Sequence, residues 1–245
     1  MYNNTRIICI IPARGGSLGL PGKNSMTIAG KPMIVHSIEK ALANRMIDRV
    51  VISTDDEGIA LVAREAGGDV PFLRTPALAL STTPMVPVVI DTLQRLAAAG
   101  DSYDVAVMLQ ANSPLLAPED IDRVLLELID KDLDVVFTVT EASHPPQWSI
   151  SIGCQGPVFA FMPDDYAAGE RRQDLETFYR STGAVYAVRI PYLLSCPDTA
   201  RLCLPSPQQR SGAVITDPLT AVDIDTELDF IVAEAIFSRI ERGIQ

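Results

Sequence analysis

The stretch Ile7-Ile8-Cys9-Ile10-Ile11-Pro12-Ala13-Arg14-Gly15-Gly16-Ser17-Leu18-Gly19-Leu20-Pro21-Gly22-Lys23-Asn24 decides the fold. The apolar run Ile7–Ile11 reads as a strand buried on both faces, the kind found in parallel sheets. It runs directly into a loop holding four glycines, an arginine and a lysine. Glycine permits φ > 0 and a close approach of backbone to an anion. Backbone N–H groups can converge on phosphate oxygens, and Arg14 and Lys23 add positive charge. A flexible surface loop would account for the glycines, but not for two cations beside the end of a buried strand. Spacing excludes two common phosphate loops. The Walker loop ends in Gly-Lys followed by Ser or Thr, whereas Asn24 follows Lys23 here. The dinucleotide fingerprint needs glycines at i, i+2 and i+5, which Gly15, Gly16, Gly19 and Gly22 do not supply.

Outward from this loop, strand and helix patterns alternate. Strands are expected at Arg49–Ser53, Val105–Leu109 and Asp134–Thr140. Helices are expected at Pro32–Leu42, Glu57–Ala66, Val86–Ala99 and Pro118–Lys131, several of them ended by glycine. This βαβα rhythm implies a mostly parallel sheet covered on both faces. Ligands of such sheets bind at the carboxyl ends of the strands. The glycine loop, Thr54-Asp55 and Gln110 all follow strands, so they can share one mouth. The rhythm breaks after Thr140. Short apolar pieces at Trp148–Ile152 and Val158–Phe161 suggest a small β-rich insertion at about 143–182 within a single domain spanning 1–245. Regular structure resumes at Ala184–Val188. A last helix, Thr226–Arg242, places Leu228, Ile231, Val232, Ala235, Ile236 and Ile240 on one face.

With 47% hydrophobic residues, a chain of this length can bury a substantial core. Its net charge of −11 disfavours nucleic-acid partners, whose binding rests on cation–phosphate contacts. The same acidity makes a local group of cations more informative, because it points to a small anionic ligand. No apolar run approaches the roughly 20 residues that span a bilayer, and residues 1–6 lack a signal-peptide pattern. A cytoplasmic protein without a membrane partner is expected. Cys9, Cys154, Cys196 and Cys203 form no C-x-x-C pair and read as reduced structural thiols.

Asp223-Ile224-Asp225 sets two carboxylates at i and i+2, on one side of an extended chain. Two such groups repel unless a cation lies near. Mg²⁺ takes one or two carboxylates together with substrate phosphates. The competing reading is a helix start, with Asp225 or Thr226 as the cap. Both roles can coexist.

Six ordered blocks carry a family resemblance: the glycine loop itself is followed by Ser53-Thr54-Asp55-Asp56, Pro71-Phe72-Leu73-Arg74, Leu109-Gln110-Ala111-Asn112-Ser113-Pro114-Leu115, Arg172-Gln173-Asp174-Leu175, Gly183-Ala184-Val185-Tyr186 and Val222-Asp223-Ile224-Asp225-Thr226-Glu227. The chain resembles the acylneuraminate cytidylyltransferases from about Ile7 to Phe230. The resemblance implies a three-layer, Rossmann-like nucleotidyltransferase fold, with the insertion serving homodimerisation. It implies transfer of CMP from CTP to the anomeric hydroxyl of a nonulosonic acid. Ala13, Arg14, Gly15, Gly16, Ser17, Lys23, Asn24, Arg74 and Thr83 would hold the nucleotide, with Arg14, Lys23 and Asp225 catalytic. Asp223 and Asp225 would hold Mg²⁺. Gln110, His144, Gln147, Arg172, Tyr179 and Arg180 would face the sugar acid, the two arginines serving its carboxylate, in cis or across the dimer. An eight-carbon Kdo-type acid and a catalytically weak CTP-binding protein are the rival readings.

The chain departs from the family pattern at five places. Leu18 stands where a lysine is usual, and Leu116 where an arginine is usual. Ser81 replaces a frequent aspartate, Thr182 an asparagine, and Gln147 a residue that is basic in some members. Loss of one charged phosphate contact costs about 1.5–3 kcal/mol, so Leu18 is expected to slow catalysis or weaken nucleotide binding.

Overall fold

The computed structural model describes residues 2–17, 19–152, 158–160, 171, 175–195, 202 and 209–243. Strand β1 (Ile7–Pro12) is followed by a two-stranded hairpin, β2 (Thr27–Ile28) and β3 (Lys31–Pro32). Then come α1 (Met33–Ala43), β4 (Arg49–Ser53), α2 (Glu57–Glu65), α3 (Met85–Ala98), β5 (Val105–Leu109), α4 (Pro118–Asp130) and β6 (Val135–Glu141). The second half holds β7 (Ile150–Ile152), β8 (Val158–Ala160), β9 (Tyr179–Arg189), α5 (Ile190–Ser195), β10 (Ser211–Ile215) and α6 (Glu227–Glu241).

The six-stranded central sheet has the order β10-β6-β9-β5-β1-β4. Strand β9 runs antiparallel to both β5 and β6, while the other neighbours pair in parallel. The carboxyl ends of β1, β4, β5, β6 and β10 therefore meet the start of β9 along one edge of the sheet. This is the expected mostly parallel α/β architecture.

Side-chain alternation along β1 builds its three layers. Ile7, Cys9 and Ile11 pack with Ile34 and Ile38 of α1, Ile59 of α2 and Leu125 of α4. Ile8 and Ile10 point the other way, onto Val89 and Leu93 of α3 and Leu193 of α5. The four isoleucines are fully buried, and each such side chain contributes roughly 1.5–3 kcal/mol. Burial pushes the Cys9 thiol far above its usual pKa, so it serves as a core residue. Cys154, Cys196 and Cys203 lie outside the described residues.

Three features differ from the sequence reading. First, β9 starts at Tyr179, five residues before the apolar run that announced it. Its first residues are polar and exposed, and they pair with Val139–Glu141 across a register shift. Second, β10 and α5 were not anticipated. Strand β10 is short, contains glycine and lies at the sheet edge, where no strong apolar pattern is required. The strand pieces β7 and β8, in the segment read as a small β-rich insertion, pair with each other.

The third difference concerns α6. It forms with a capping box between Thr226 and Asp229, but its buried side is not the expected one. Leu228, Ile231, Val232 and Ile240 are exposed. Of the expected residues Ile236 does pack, and with Ala233, Phe230 and Phe237 it meets Ile28, Met33, Leu115 and Ile224. The two aromatic rings on that side reach the hairpin and α1, and Phe237 stacks on the His36 ring. Among the described residues no helix is long and apolar enough to cross a membrane.

Candidate active site

A cavity of about 320 Å³ opens at the strand ends, within the size range of small-molecule sites. Pro12 and Arg14 come from the end of β1, Lys23 and Asn24 from the loop after it, and Arg74 from the segment between α2 and α3. Ser81, Thr83, Met85 and Val88 line it from the start of α3, and Gln110, Ala111 and Asn112 from the end of β5. Asp223 and Asp225 close it from the approach to α6. Residues far apart in sequence meet here because the parallel strands end at one edge.

One wall is cationic. Arg74 is 8% exposed, and its guanidinium donates to the Ser53 hydroxyl at 3.2 Å and to the Ser53 carbonyl. No carboxylate ion-pairs with it among the described residues. Burial draws its pKa below the usual value, and nearby Arg14 adds to that, while Asp55 opposes. Arg14 donates to the Leu80 carbonyl at 3.2 Å, which ties the glycine loop to the segment ahead of α3. A buried guanidinium without a carboxylate partner is a natural anion contact.

The opposite wall is acidic. Asp223 is pushed up to about pKa 6, first by burial and then by the charge of Asp225, with Lys23 opposing. Its Oδ1 atom is buried and has no hydrogen-bond partner. Asp225 accepts from Lys23 Nζ at 2.5 Å and from Asn112 Nδ2 at 3.2 Å. Lys23 also donates to the Ile224 carbonyl at 3.3 Å. The Asp225 carbonyl lies 2.5 Å from where a Cβ on Gly19 would sit, so only glycine lets the loop pass there.

The structure brings together Arg14, Lys23, Asn24, Arg74, Thr83, Gln110, Asp223 and Asp225, all expected site residues. The glycine loop behaves differently from the expected backbone cradle. Ala13 is buried and its N–H donates to the Ser53 carbonyl at 2.9 Å. The Gly15 N–H donates to Asp55 Oδ1 at 3.2 Å. These early N–H groups fasten the loop to the end of β4 instead of facing the cavity. Asn24 acts in the same way, donating to the Arg14 carbonyl at 3.0 Å. Gly16 and Ser17 lie on the loop outside the cavity lining. Leu18 and Arg172 lie outside the described residues.

The residues expected at the sugar are spread more widely. Gln110 lines the cavity and donates to Met85 Sδ at 3.3 Å. Arg180, near the mouth on β9, donates to the Ala221 carbonyl at 3.4 Å, and its charge is felt at Asp223. Tyr179 is exposed. His144 is exposed and, among the described residues, is hydrogen-bonded to its neighbour Ser143. Gln147 is half-buried with Oε1 unpartnered. None of these last four lines the cavity within this chain.

Sequence reasoning missed Pro12, Ser81, Met85, Val88, Ala111 and Asn112 as lining residues. Asn112 carried a usable signal, a polar residue just past a buried strand. Met85 and Val88 carried none, because they read as ordinary apolar helix positions.

A protein-family model described as cytidylyltransferase matches residues 8–189, which contain the phosphate loop, Arg74 and the Gln110–Asn112 wall. The chain belongs to the cytidylyltransferase family.

This cytidylyltransferase is 33% identical to the CMP-N,N'-diacetyllegionaminic acid synthase of Legionella pneumophila, over 94% of this chain and 96% of that protein. It is 35% identical to the pseudaminic acid cytidylyltransferase of Campylobacter jejuni, over 73% of this chain and 76% of that one. Among solved structures, a CMP:2-keto-3-deoxy-manno-octonic acid synthetase complexed with CTP superposes with a TM-score of 0.69 at 20% identity. That alignment covers 96% of this chain and 100% of the other, and supports the nucleotidyltransferase fold. The Leu116 departure now has a local reason: in this cytidylyltransferase Leu116 is 2% exposed and part of the core beside Ile121, where a guanidinium would lack a polar partner.

Proposed function

We propose that this cytidylyltransferase transfers CMP from CTP to the anomeric hydroxyl of a nonulosonic acid of the N-acylneuraminic or legionaminic type. The observation that carries this reading is one cavity lined by Arg14, Lys23 and Arg74 together with Asp223 and Asp225. In the reaction the sugar hydroxyl oxygen bonds to the α-phosphorus and the bond to pyrophosphate breaks. The hydroxyl proton is released. Catalysis of such a step is mostly positioning and charge neutralisation. Arg74, held rigidly on Ser53, and Arg14 bind the triphosphate, and Lys23 balances the charge that builds on it.

The carboxylate pair fits a magnesium ion. A buried, unpartnered Asp223 oxygen beside Asp225 suits a cation that completes its shell with substrate phosphates. When bound, such an ion screens the phosphates and lowers the pKa of an attacking hydroxyl. Asp223 and Asp225 would hold it. Arg180, and Arg172 by resemblance, would meet the sugar carboxylate. A homodimer built through the segment at about 143–182, acting in the cytoplasm where CTP is available, completes the proposal.

The test is pyrophosphate release with CTP, Mg²⁺ and a panel of nonulosonic and Kdo-type acids, with Asp225→Asn as control. Release with a nonulosonic acid, abolished in the control, supports the proposal and names the substrate. Release only with an eight-carbon acid moves the substrate to the Kdo type. Binding of CTP without release from any acid favours a weak nucleotide-binding protein, and Leu18→Lys is then the variant to make.

A further inference from the structure

Helix α1 lies behind the cavity and contributes nothing to its lining, yet two of its side chains reach the loop that does. Ser37 Oγ donates to the Gln110 carbonyl at 2.9 Å. Lys40 Nζ donates to the Pro114 carbonyl. The two residues are three apart and so share one face of the helix. They grip the first and last residues of a five-residue segment, Gln110-Ala111-Asn112-Ser113-Pro114.

At the middle of that segment sits Asn112, which bonds the carboxylate arm three times. Its carbonyl accepts from the Ile224 N–H at 2.9 Å, and its Nδ2 donates to the Ile224 carbonyl at 3.4 Å and to Asp225 Oδ1 at 3.2 Å. We propose that Ser37 and Lys40 are positioning residues, which fix both ends of the Gln110–Pro114 segment so that Asn112 holds Asp225 in its working place.

Packing alone does not account for Lys40. Ile34, Ile38 and Ala41 already seat α1 on the sheet and are fully buried. Lys40 makes no ion pair with a carboxylate among the described residues, and burial draws its ammonium down to about pKa 8, with Glu39 opposing. A half-buried charge spent on a single carbonyl is a poor stabiliser. It is an effective tether, because a charged donor bonds a carbonyl more strongly than a neutral one. Removing a group bonded directly to a metal ligand, the place Asn112 takes at Asp225, typically costs about 10–100-fold in metal affinity or activity, so a tether further out is expected at the low end of that range.

The proposal rests on reading Asp225 as a metal-side carboxylate, and the experiment separates the two ideas. Mn²⁺ binding, followed by electron paramagnetic resonance, and kcat and KM for CTP are measured for the wild type, Lys40→Met, Lys40→Arg, Ser37→Ala and Asn112→Ala. Lys40→Met is expected to lower kcat and Mn²⁺ affinity about tenfold each, with KM for CTP within about twofold and the melting temperature nearly unchanged. Lys40→Arg keeps a charged donor and recovers most of the loss, and Ser37→Ala shows a smaller loss of the same kind. In the Asn112→Ala background Lys40→Met adds no further loss, since its effect travels through Asn112.

Wild-type kcat and Mn²⁺ affinity in Lys40→Met, or an undiminished loss in the Asn112→Ala background, overturns the proposal. If Lys40→Met does not fold, Ser37→Ala with and without Asn112→Ala decides by the same readouts. Should wild type and Asp225→Asn bind Mn²⁺ equally, the metal reading falls, while the kcat comparison across the Asn112 backgrounds still decides the tether.

Discussion

Asp223 carries a negative charge that Lys23 and Arg180 offset only in part. Its Oδ1 atom is buried without a partner, and Asp225 stands beside it. Burying an unpaired carboxylate next to a like charge destabilises the folded chain, and such strain is common where a site must wait for a cation. Asp223→Asn is therefore expected to raise the melting temperature of the metal-free protein at neutral pH by about 2–6 °C, at roughly 2–4 °C per kcal/mol for a chain of this size. The same change should lower turnover by about 10²–10³. Scanning fluorimetry with a pyrophosphate assay reads both, and a lower melting temperature with intact turnover would refute the argument. At this scale much of the site was legible: the two cations of the glycine loop and the paired aspartates are unusual residue types beside strand ends. Asn112 carried a signal that went unused, a polar residue just past a buried strand, whereas its bonds to Ile224 and Asp225 and the fastening roles of Asp55 and Asn24 were not legible. Hydrogen bonds between side chains and distant backbone N–H or carbonyl groups leave no periodic trace in a sequence.

Between elements, polar clusters and apolar faces make separable contributions. At the edge of the sheet opposite the cavity, Asp101 bonds the Tyr103 hydroxyl at 2.7 Å, Arg6 at 2.8 Å and Arg49 at 2.5 Å, joining β4 to the flanks of β1 and β5. Its pKa is held below the usual carboxylate value by the Tyr103 hydroxyl first, then by Arg6 and Arg49. A depressed folded pKa gives stability that is present above the unfolded value of 3.8 and lost as pH falls through the folded one. The cluster is partly exposed, so its contribution is discounted to about 1 kcal/mol. Asp101→Asn should lower the melting temperature by about 2–4 °C at pH 7, and the gap should close as the pH drops below 3.8. A gap that persists in acid would place the cause elsewhere. Helix α6 offers a sharper contrast. Ile224, which it covers, is fully buried, whereas Leu228 on the helix is 69% exposed. In urea unfolding Ile224→Ala should cost about 2–5 kcal/mol and Leu228→Ser no more than about 0.5 kcal/mol. Equal losses would mean that the leucine side of α6 is the packed one. Strands β4 and β5 were readable to the residue because short buried β-branched runs have few alternatives. The side of α6 was not, since apolar residues surround much of the helix and the choice is made by Phe230 and Phe237 meeting a hairpin that periodicity does not reveal.

For the whole molecule, an acidic chain of net charge −11 concentrates three cations at one cavity, which favours a small anion over extended polyanions. The strand order, with β9 reversed between β5 and β6, could not be read from sequence, because non-local pairing is chosen among many similar apolar strands. The proposed dimer assigns different work to the two sugar-side arginines. Arg180 bonds Ala221, two residues from Asp223 in the same chain, so it should serve its own site. Arg172, carried over only by resemblance, is the residue expected to cross to the partner. Light scattering should return twice the 26.5 kDa chain mass. Two separately inactive variants, Asp225→Asn and Arg172→Ala, are then co-refolded. If Arg172 acts across a two-fold dimer, every mixed dimer regains one intact site, and random pairing restores about a quarter of wild-type turnover. The matching mixture of Asp225→Asn with Arg180→Ala should stay near zero, because a residue acting in its own chain cannot be supplied by a partner. Recovery in the Arg180 mixture and none in the Arg172 mixture would reverse the assignment, and a monomer in light scattering would remove the basis for any contribution across subunits.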